Sequence, residues 1–259
     1  MGILNVFSKA AYSRYERRLT KEILTGPMPR HVAIIMDGNR RYAAEILESD
    51  VSEGHRKGEQ KIEEMLDWCL TLKIPYITVY AFSSENFTRD KGEVDFLMDL
   101  SEAALYRMAD DPRIHENKVR IRVLGNLSDL PPNVQTAIAY ADERTSCYSS
   151  YSFNVAMAYG GRQEILAAVK EIAEEVRDGK IGIEDISEAK FSNHLYTSDM
   201  PDPDLVLRTS GEVRISNFLL WQMAYSELYF ADVYWPGFRS IDFLRAVRSY
   251  QQRVRRYGV

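Results

Sequence analysis

The stretch His31-Val-Ala-Ile-Ile-Met-Asp-Gly-Asn-Arg-Arg-Tyr42 constrains this chain more than any other. Val32 to Met36 is an unbroken apolar run, the pattern of a strand covered on both faces. Such a strand needs helices above and below it, and therefore an α/β architecture. Asp37, Gly38, Asn39, Arg40 and Arg41 follow without a spacer. In open α/β sheets, ligands bind outside the carboxyl ends of the strands. A carboxylate that can hold Mg²⁺, a glycine that lets backbone approach a ligand, and guanidiniums that fork onto phosphate oxygens suit a metal-bound diphosphate. Asp-Gly-Asn is also good turn chemistry by itself, so a solvated turn is the competing reading.

The rest of the chain extends the α/β pattern. Residues 3 to 24 form an amphipathic helix with Ile3, Phe7, Ala11, Tyr15, Leu19 and Ile23 on one stripe and Lys9, Arg14, Arg17, Arg18 and Lys21 off it. This helix packs on the domain surface in one reading. In the other it meets a membrane surface, because basic amphipathic helices bind anionic lipid. Gly26-Pro-Met-Pro29 ends it. Residues 43 to 53 read as a polar, acidic loop. Helices follow over Gly54 to Lys73, Val94 to Ala109, Pro132 to Thr145, Gly161 to Arg177, Glu184 to Tyr196, Phe218 to Tyr225 and Ile241 to Tyr257. Strands fall at Tyr76 to Phe82, Val119 to Gly125, Ser152 to Tyr159, Leu205 to Thr209 and Glu227 to Ala231. No linker interrupts this order. The chain reads as one α/β domain with a central, mostly parallel six-stranded sheet flanked by helices, preceded by the N-terminal helix within residues 1–26.

Composition narrows the function. A net charge of −5 argues against a nucleic-acid partner, so any anion site is a local cluster of arginines. Cys69 and Cys147 lack metal or disulfide-framework spacing and read as free thiols in a reducing, cytoplasmic compartment. No secretory leader and no spanning apolar stretch are expected. There is no P-loop, no dinucleotide glycine fingerprint after a strand and no nucleophile elbow. Asp199, Asp202 and Asp204 precede a strand and read as a solvated loop.

Three polar loops follow three strands, after Met36, Phe82 and Leu207. If those strands are parallel, the loops share one edge of the sheet. They bring Asp37, Asn39, Arg41, Ser83, Asn86, Arg89, Arg208, Arg214 and Ser216, with Glu227 further on. Arginine forks, hydroxyls, amides and carboxylates together fit a diphosphate site. Each arginine alone could equally be a surface ion pair. His55 opens a helix near the first loop and either touches phosphate or caps the helix. The apolar stripes over 54–73 and 94–109 are core, or the lining of a lipid tunnel.

Met36-Asp-Gly-Asn-Arg-Arg-Tyr42, Gly54-His55, Tyr80-Ala-Phe-Ser-Ser-Glu-Asn-Phe87, Ala158-Tyr-Gly-Gly-Arg162, Leu207 to Gln222 and Tyr225 to Pro236 together resemble the cis-prenyltransferases, the undecaprenyl and dehydrodolichyl diphosphate synthase group. The resemblance extends over residues 27 to 258 in the same order, making 27–259 the catalytic domain. It implies a homodimer or heterodimer, the homodimer being favoured by Asp37 and the C-terminal ending lying on one chain, and Mg²⁺-dependent condensation of an allylic prenyl diphosphate with isopentenyl diphosphate to a Z-configured polyprenyl diphosphate. By the family's motifs, Asp37 and Glu227 would hold the metal, and Gly38, Asn39, Arg40 and Arg41 the allylic diphosphate. Ser83 and Asn86 would lie beside the reacting carbons, and Arg89 would order its loop. Arg208, Arg214 and Ser216 would bind isopentenyl diphosphate. Arg256 and Gly258 resemble a C-terminal ending that reaches a partner's site.

One position departs from the family pattern: Val51 stands where an arginine usually precedes Gly-His as a diphosphate ligand. The alternatives this leaves are transfer to an unusual acceptor, a scaffold subunit of a heteromeric enzyme, or a prenyl-lipid binding protein.

Overall fold

The computed structural model describes residues 14–253. The chain starts with helix α1 (14–23). It continues through strand β1 (His31–Ile35), α2 (Asn39–Tyr42), a π turn (Ala43–Leu47), α3 (Val51–Thr71), β2 (Tyr76–Ser83), a 3₁₀ turn (Ser84–Thr88) and α4 (Lys91–Ala109). Next come α5 (Pro112–Glu116), β3 (Val119–Leu124), α6 (Pro132–Thr145), β4 (Tyr151–Tyr159), α7 (Gly161–Arg177) and α8 (Glu188–Ser192). Strands β5 (Leu205–Arg208) and β6 (Glu227–Phe230) and helix α9 (Ser240–Gln252) complete it.

All six strands are parallel, in the order β3-β4-β2-β1-β5-β6. The order reverses at β1, so the chain leaves its first strand for one side of the sheet and returns to the other with β5. Crevices form at such a switch point. Every residue of β1 is buried. Alternation then divides its side chains between two cores. Val32 and Ile34 join Met65, Leu66 and Cys69 of α3 and Phe243 and Val247 of α9. Ala33 and Ile35 join Tyr80, Tyr159, Phe218 and Met223 on the opposite face. Leu19 and Ile23 tie α1 into the first core, and Gln251 Nε2 donates to the Ile23 carbonyl at 2.7 Å. The earlier part of the N-terminal helix, residues 3–13, lies outside the described residues, as do Arg256 and Gly258. Cys69 is buried and Cys147 exposed, both as free thiols. Among the described residues no helix is long and apolar enough to cross a membrane.

Four local readings change. Residues 43 to 53 are mostly helical: α2 runs on into the π turn, only 48–50 connect without helix, and α3 already starts at Val51. The polar sequence there reflects an exposed helical surface. Phe218 to Tyr225 is a series of turns. Ser216, Asn217 and Leu219 carry φ of 48°, 62° and 40°, which a right-handed helix cannot absorb. The stretch 184–196 contains only a 3₁₀ turn and the short α8. Asp204 is an anchor, not a solvated carboxylate: its Oδ2 accepts from the backbone N–H groups of Arg30 and His31 at 2.6 and 3.1 Å.

Candidate active site

The first, second and fifth strands lie side by side, with Ile35 of β1 facing Tyr80 of β2 on one flank and Arg208 of β5 on the other. The loops that follow these strands therefore meet. Thr209 locks the first to the third: its hydroxyl accepts from the Asp37 N–H at 2.9 Å and donates to the Asp37 carbonyl at 2.7 Å. Gly38 then turns the backbone at φ 106°. A Cβ there would come within 2.7 Å of the Tyr234 ring, so the turn requires glycine for both conformation and space.

Gly54 and Gly58 solve the next problem, which is to bring α3 against α2. A Cβ on Gly54 would lie 2.1 Å from the Asn39 carbonyl oxygen, and one on Gly58 2.4 Å from Asn39 Oδ1. This contact sets His55, between them in sequence, against the site. Val51 stands in the first turn of α3, and no part of it lines the cavity described below.

Three carboxylates organise the arginines. Asp37 accepts from Arg208 Nη2 at 2.7 Å and from Arg41 Nη2 at 3.3 Å. Glu212 takes Arg41 Nη1 at 3.1 Å and also pairs with Arg214. Glu93 Oε1 accepts from Arg89 Nη1 and meets His55 Nε2, both at 3.1 Å, with Arg40 Nε at 3.9 Å. Arg41 also donates to Ser210 Oγ at 2.8 Å and lies over the Tyr234 ring.

Arg208 is the buried one, its side chain 5% exposed. Its Nη1 donates to Ser216 Oγ at 2.8 Å and to the Arg214 carbonyl at 2.6 Å. Its Nε–H has no hydrogen-bond partner among the described residues. Burial pushes the Asp37 carboxyl's pKa up, but the Arg208 guanidinium, Ser210 and Arg41 outweigh it and hold the group below the ordinary carboxylate range. Burial lowers the His55 pKa, against the opposing pull of Glu93, which leaves a neutral imidazole at neutral pH.

The second loop is ordered by Asn86, whose Oδ1 accepts from the Ser83 N–H at 3.0 Å in a capping box. Asn217 fastens this turn to the third loop: its Nδ2 donates to Glu85 Oε1 at 2.9 Å, while its own backbone oxygen accepts from the Gly161 N–H.

These loops surround a cavity of about 860 Å³. Asp37, Gly38, Asn39, Arg40, Arg41, His55, Ser83, Asn86, Arg89, Arg208, Arg214 and Ser216 line its polar end. Ile62 of α3, Leu97, Leu100, Ala104, Leu105 and Met108 of α4, and Phe153, Val155 and Met157 of β4 line the rest. The stripes over 54–73 and 94–109 therefore do two things, burying one edge in the core and opening another onto the cavity.

Glu227 is not brought here. It starts β6, in register with Leu205, and three residues of parallel strand set it roughly 10 Å back from the level of Arg208. There it pairs with Arg253 Nη1 at 2.8 Å. Within one chain, strand register therefore puts Asp37 and Glu227 toward opposite ends of the sheet. Among the described residues no three His, Cys, Asp or Glu side chains gather around a common point. Asp37 alone, on the rim among arginines, is nevertheless a fitting donor for an ion such as Mg²⁺, which binds through one or two carboxylates and takes its other ligands from phosphate and water.

Sequence reasoning passed over Glu93, Thr209 and Glu212. Glu93 carried a signal, standing four residues after Arg89 at a helix start. Glu212 lies inside the Arg208-Thr-Ser-Gly-Glu-Val-Arg214 run.

Comparison with known proteins agrees with this geometry. Residues 35–258 match the family described as "Putative undecaprenyl diphosphate synthase". A protein of Thermoplasma volcanium named tritrans,polycis-undecaprenyl-diphosphate synthase (geranylgeranyl-diphosphate specific) is 53% identical over 258 residues, covering 100% of both chains. One of the same name from Methanocaldococcus jannaschii is 56% identical over 246 residues, 94% of this chain and 88% of that one. Among solved structures, the lavandulyl diphosphate synthase of Lavandula x intermedia, in complex with dimethylallyl diphosphate, superposes with a TM-score of 0.85 at 37% identity, covering 90% of this chain and 99% of that one. A probable undecaprenyl diphosphate synthase from Campylobacter jejuni gives 0.73 at 31% identity, covering 90% and 100%. An arginine-rich rim over an apolar cavity, in a chain that matches these proteins along nearly its whole length, makes this chain a member of the cis-prenyltransferase family and a prenyl-transferring enzyme.

Proposed function

We propose that this enzyme condenses geranylgeranyl diphosphate with successive isopentenyl diphosphates, in a Mg²⁺-dependent reaction, to a Z-configured polyprenyl diphosphate of about undecaprenyl length. The observation that carries this reading is the cavity itself, with five arginines at one end and hydrocarbon at the other. The geranylgeranyl preference is taken from the names of the archaeal relatives.

In this reading the allylic diphosphate lies over Gly38, Asn39, Arg40 and Arg41, with its prenyl chain along the α4 and β4 side chains. Arg89 and His55, gathered by Glu93, add to the same end. They supply the positive charge and hydrogen bonding that Val51 does not. Arg208 already donates to the Arg214 carbonyl and to Ser216 Oγ, and the three residues form the isopentenyl diphosphate site. The buried, partnerless Nε–H of Arg208 is a donor that an anion would satisfy. Asp37 holds Mg²⁺, which, when bound, offsets the charge of the departing diphosphate.

The chemistry breaks the bond between allylic C1 and its diphosphate oxygen, joins that carbon to C4 of isopentenyl diphosphate and removes a C2 proton. Charge neutralisation at the leaving group is the main demand, and preorganised guanidiniums meet it without reorganising. Ser83 and Asn86 are fixed by their capping box beside the reacting carbons and take part in proton removal. The C-terminal Arg256 and Gly258 complete the isopentenyl site of a partner in a homodimer. Peripheral contact with a membrane surface runs through the basic N-terminal helix.

The test is incubation of purified protein with geranylgeranyl diphosphate, radiolabelled isopentenyl diphosphate and Mg²⁺, with sizing of the products. Elongated products that vanish with chelator and in Asp37→Ala support the reading. No incorporation with primers of any length overturns it.

A further inference from the structure

Tyr234 and Trp235, between β6 and α9, fasten the first loop at points that Thr209 leaves open. The Trp235 N–H donates to the Asp37 carbonyl at 3.0 Å, so that oxygen serves Thr209 and Trp235 together. The Trp235 indole N–H donates to the Gly58 carbonyl of α3 at 2.7 Å. The Tyr234 ring packs on Gly38, and the Arg41 guanidinium carbon lies 5.4 Å from the ring centre. At the far end of the ring, the hydroxyl donates to Glu45 Oε2 at 2.6 Å.

The π turn brings Glu45 to this bond. Its i→i+5 bonding makes the backbone from Ala43 to Leu47 wider than α2, and so carries Glu45 off the line that α2 would have continued. The bond to Glu45 raises the Tyr234 pKa above the usual phenol value, against the opposing pull of Arg41, and the hydroxyl stays a donor.

Arg41 has its edge committed to Glu212, Asp37 and Ser210, and its face to Tyr234. A diphosphate arriving over Gly38 and Arg41 has to draw N–H groups away from those acceptors. The ring contact uses no N–H group, so it persists while the edge changes partners. A tyrosine ring held only at its Cβ can swing about two side-chain torsions. Glu45 removes that freedom by holding the other end.

We infer that Tyr234, tethered by Glu45, is a positioning residue for the allylic diphosphate, fixing the plane of Arg41 and the path of the backbone at Gly38. Neither Tyr234 nor Glu45 lines the cavity, so both act through the two residues that do. The inference rests on the assignment, proposed above, of the allylic diphosphate to Gly38 and Arg41.

The experiment measures calorimetric binding of geranylgeranyl diphosphate, with Mg²⁺ and without isopentenyl diphosphate, to wild type, Tyr234→Phe, Glu45→Ala, their double variant and Glu45→Gln. Thermal midpoints and the KM for isopentenyl diphosphate at saturating primer are measured alongside. Loss of one hydrogen bond weakens binding about three- to tenfold in Tyr234→Phe and in Glu45→Ala. Both remove the same bond, so the double variant binds no more weakly than either. Glu45→Gln keeps an accepting oxygen and binds within about twofold of wild type. The KM for isopentenyl diphosphate stays within about twofold throughout, because its site is not touched. Wild-type binding in both single variants overturns the tether, as does a Glu45→Gln that binds as weakly as Glu45→Ala. An equal rise in the KM for isopentenyl diphosphate overturns the positioning role, since a loosened fold would disturb both sites alike. A wild type that binds no geranylgeranyl diphosphate overturns the site assignment and the inference together, whereas tight wild-type binding beside unaffected variants overturns the inference alone.

Discussion

Arg208 donates from Nη2 to Asp37 Oδ2 at 2.7 Å, joining two loops that lie 171 residues apart in sequence. Removing the carboxylate strands a nearly fully buried guanidinium. Breaking a buried pair costs about 3–5 kcal/mol, and the partial exposure of Asp37 puts Asp37→Ala near the lower end. Turnover falls on the order of 10²-fold or more, as expected when charge stabilisation at a leaving group is lost. Asp37→Asn regains much of the stability but little of the rate. Urea midpoints and initial rates of both variants check this. A variant that is stable and active would refute it.

Glu93 gathers Arg89, His55 and Arg40 from three different elements. Without its acceptor oxygen the two arginines repel one another and His55 loses its anchor. Glu93→Ala raises KM for the allylic diphosphate about tenfold, equivalent to one charge-assisted contact of about 1.4 kcal/mol. Glu93→Gln restores most of the affinity, because an amide oxygen still accepts from Arg89 and His55. Steady-state kinetics with the primer varied distinguish the two, and equal KM values in both would count against a positioning role.

Gly54→Ala adds a methyl group 2.1 Å from the Asn39 carbonyl oxygen. The obstacle is backbone, so α3 must move away from the first loop. The expected cost is about 1–3 kcal/mol of stability, with a larger proportional loss of kcat/KM because His55 moves with the helix. Thermal melting and kinetics on one preparation test whether activity falls further than stability explains.

His31 gives stability a pH dependence. Its Nδ1–H donates to the Pro201 carbonyl at 2.7 Å, and its Nε2 accepts from Thr78 Oγ1 at 2.8 Å. Burial lowers its pKa to about 4, against the opposing effects of the Pro201 hydrogen bond and Asp204. The folded value lies below the unfolded one of about 6.5, so the ring is neutral in both states above pH 6.5 and its contribution is complete there. As pH falls from 6.5 to 4, the unfolded chain binds the proton first and about 3 kcal/mol is lost, about 1.4 kcal/mol per unit. Carboxylates add slopes of their own, so the relevant quantity is the difference between wild type and His31→Gln across pH 4–8. Parallel curves would refute the assignment.

Much of this was legible from local chemistry. The apolar run of β1 demanded cover on both faces, and six strands in alternation with helices demanded a mainly parallel sheet. Polar loops after three strands then had to share an edge, which located Asp37, Ser83 and Arg208 together. What local chemistry did not show depended on distance or context. Glu227 has the right chemistry, but its place along β6 is set by register with β5, which no local pattern records. Phe218 to Tyr225 has helical composition, yet Gly161 and Arg162 bind Asn217 by hydrogen bonds of 2.7 and 2.9 Å and hold it left-handed. The lipid tunnel and the core read alike in sequence, because both require hydrocarbon on the inner side of a helix.

The placement of β1 at the reversal point has a consequence for synthesis on the ribosome. β2 can pair with β1 once about fifty more residues have emerged, but the opposite edge belongs to β5. At 5–20 residues per second, the 171 residues separating Asp37 from Arg208 take on the order of 10–30 s to translate. Throughout that interval the nascent chain carries an apolar strand with one open edge, and unpaired edges invite association with other chains. The first strand made is thus among the last to be completed, and a chain truncated before Leu205 would expose this edge permanently.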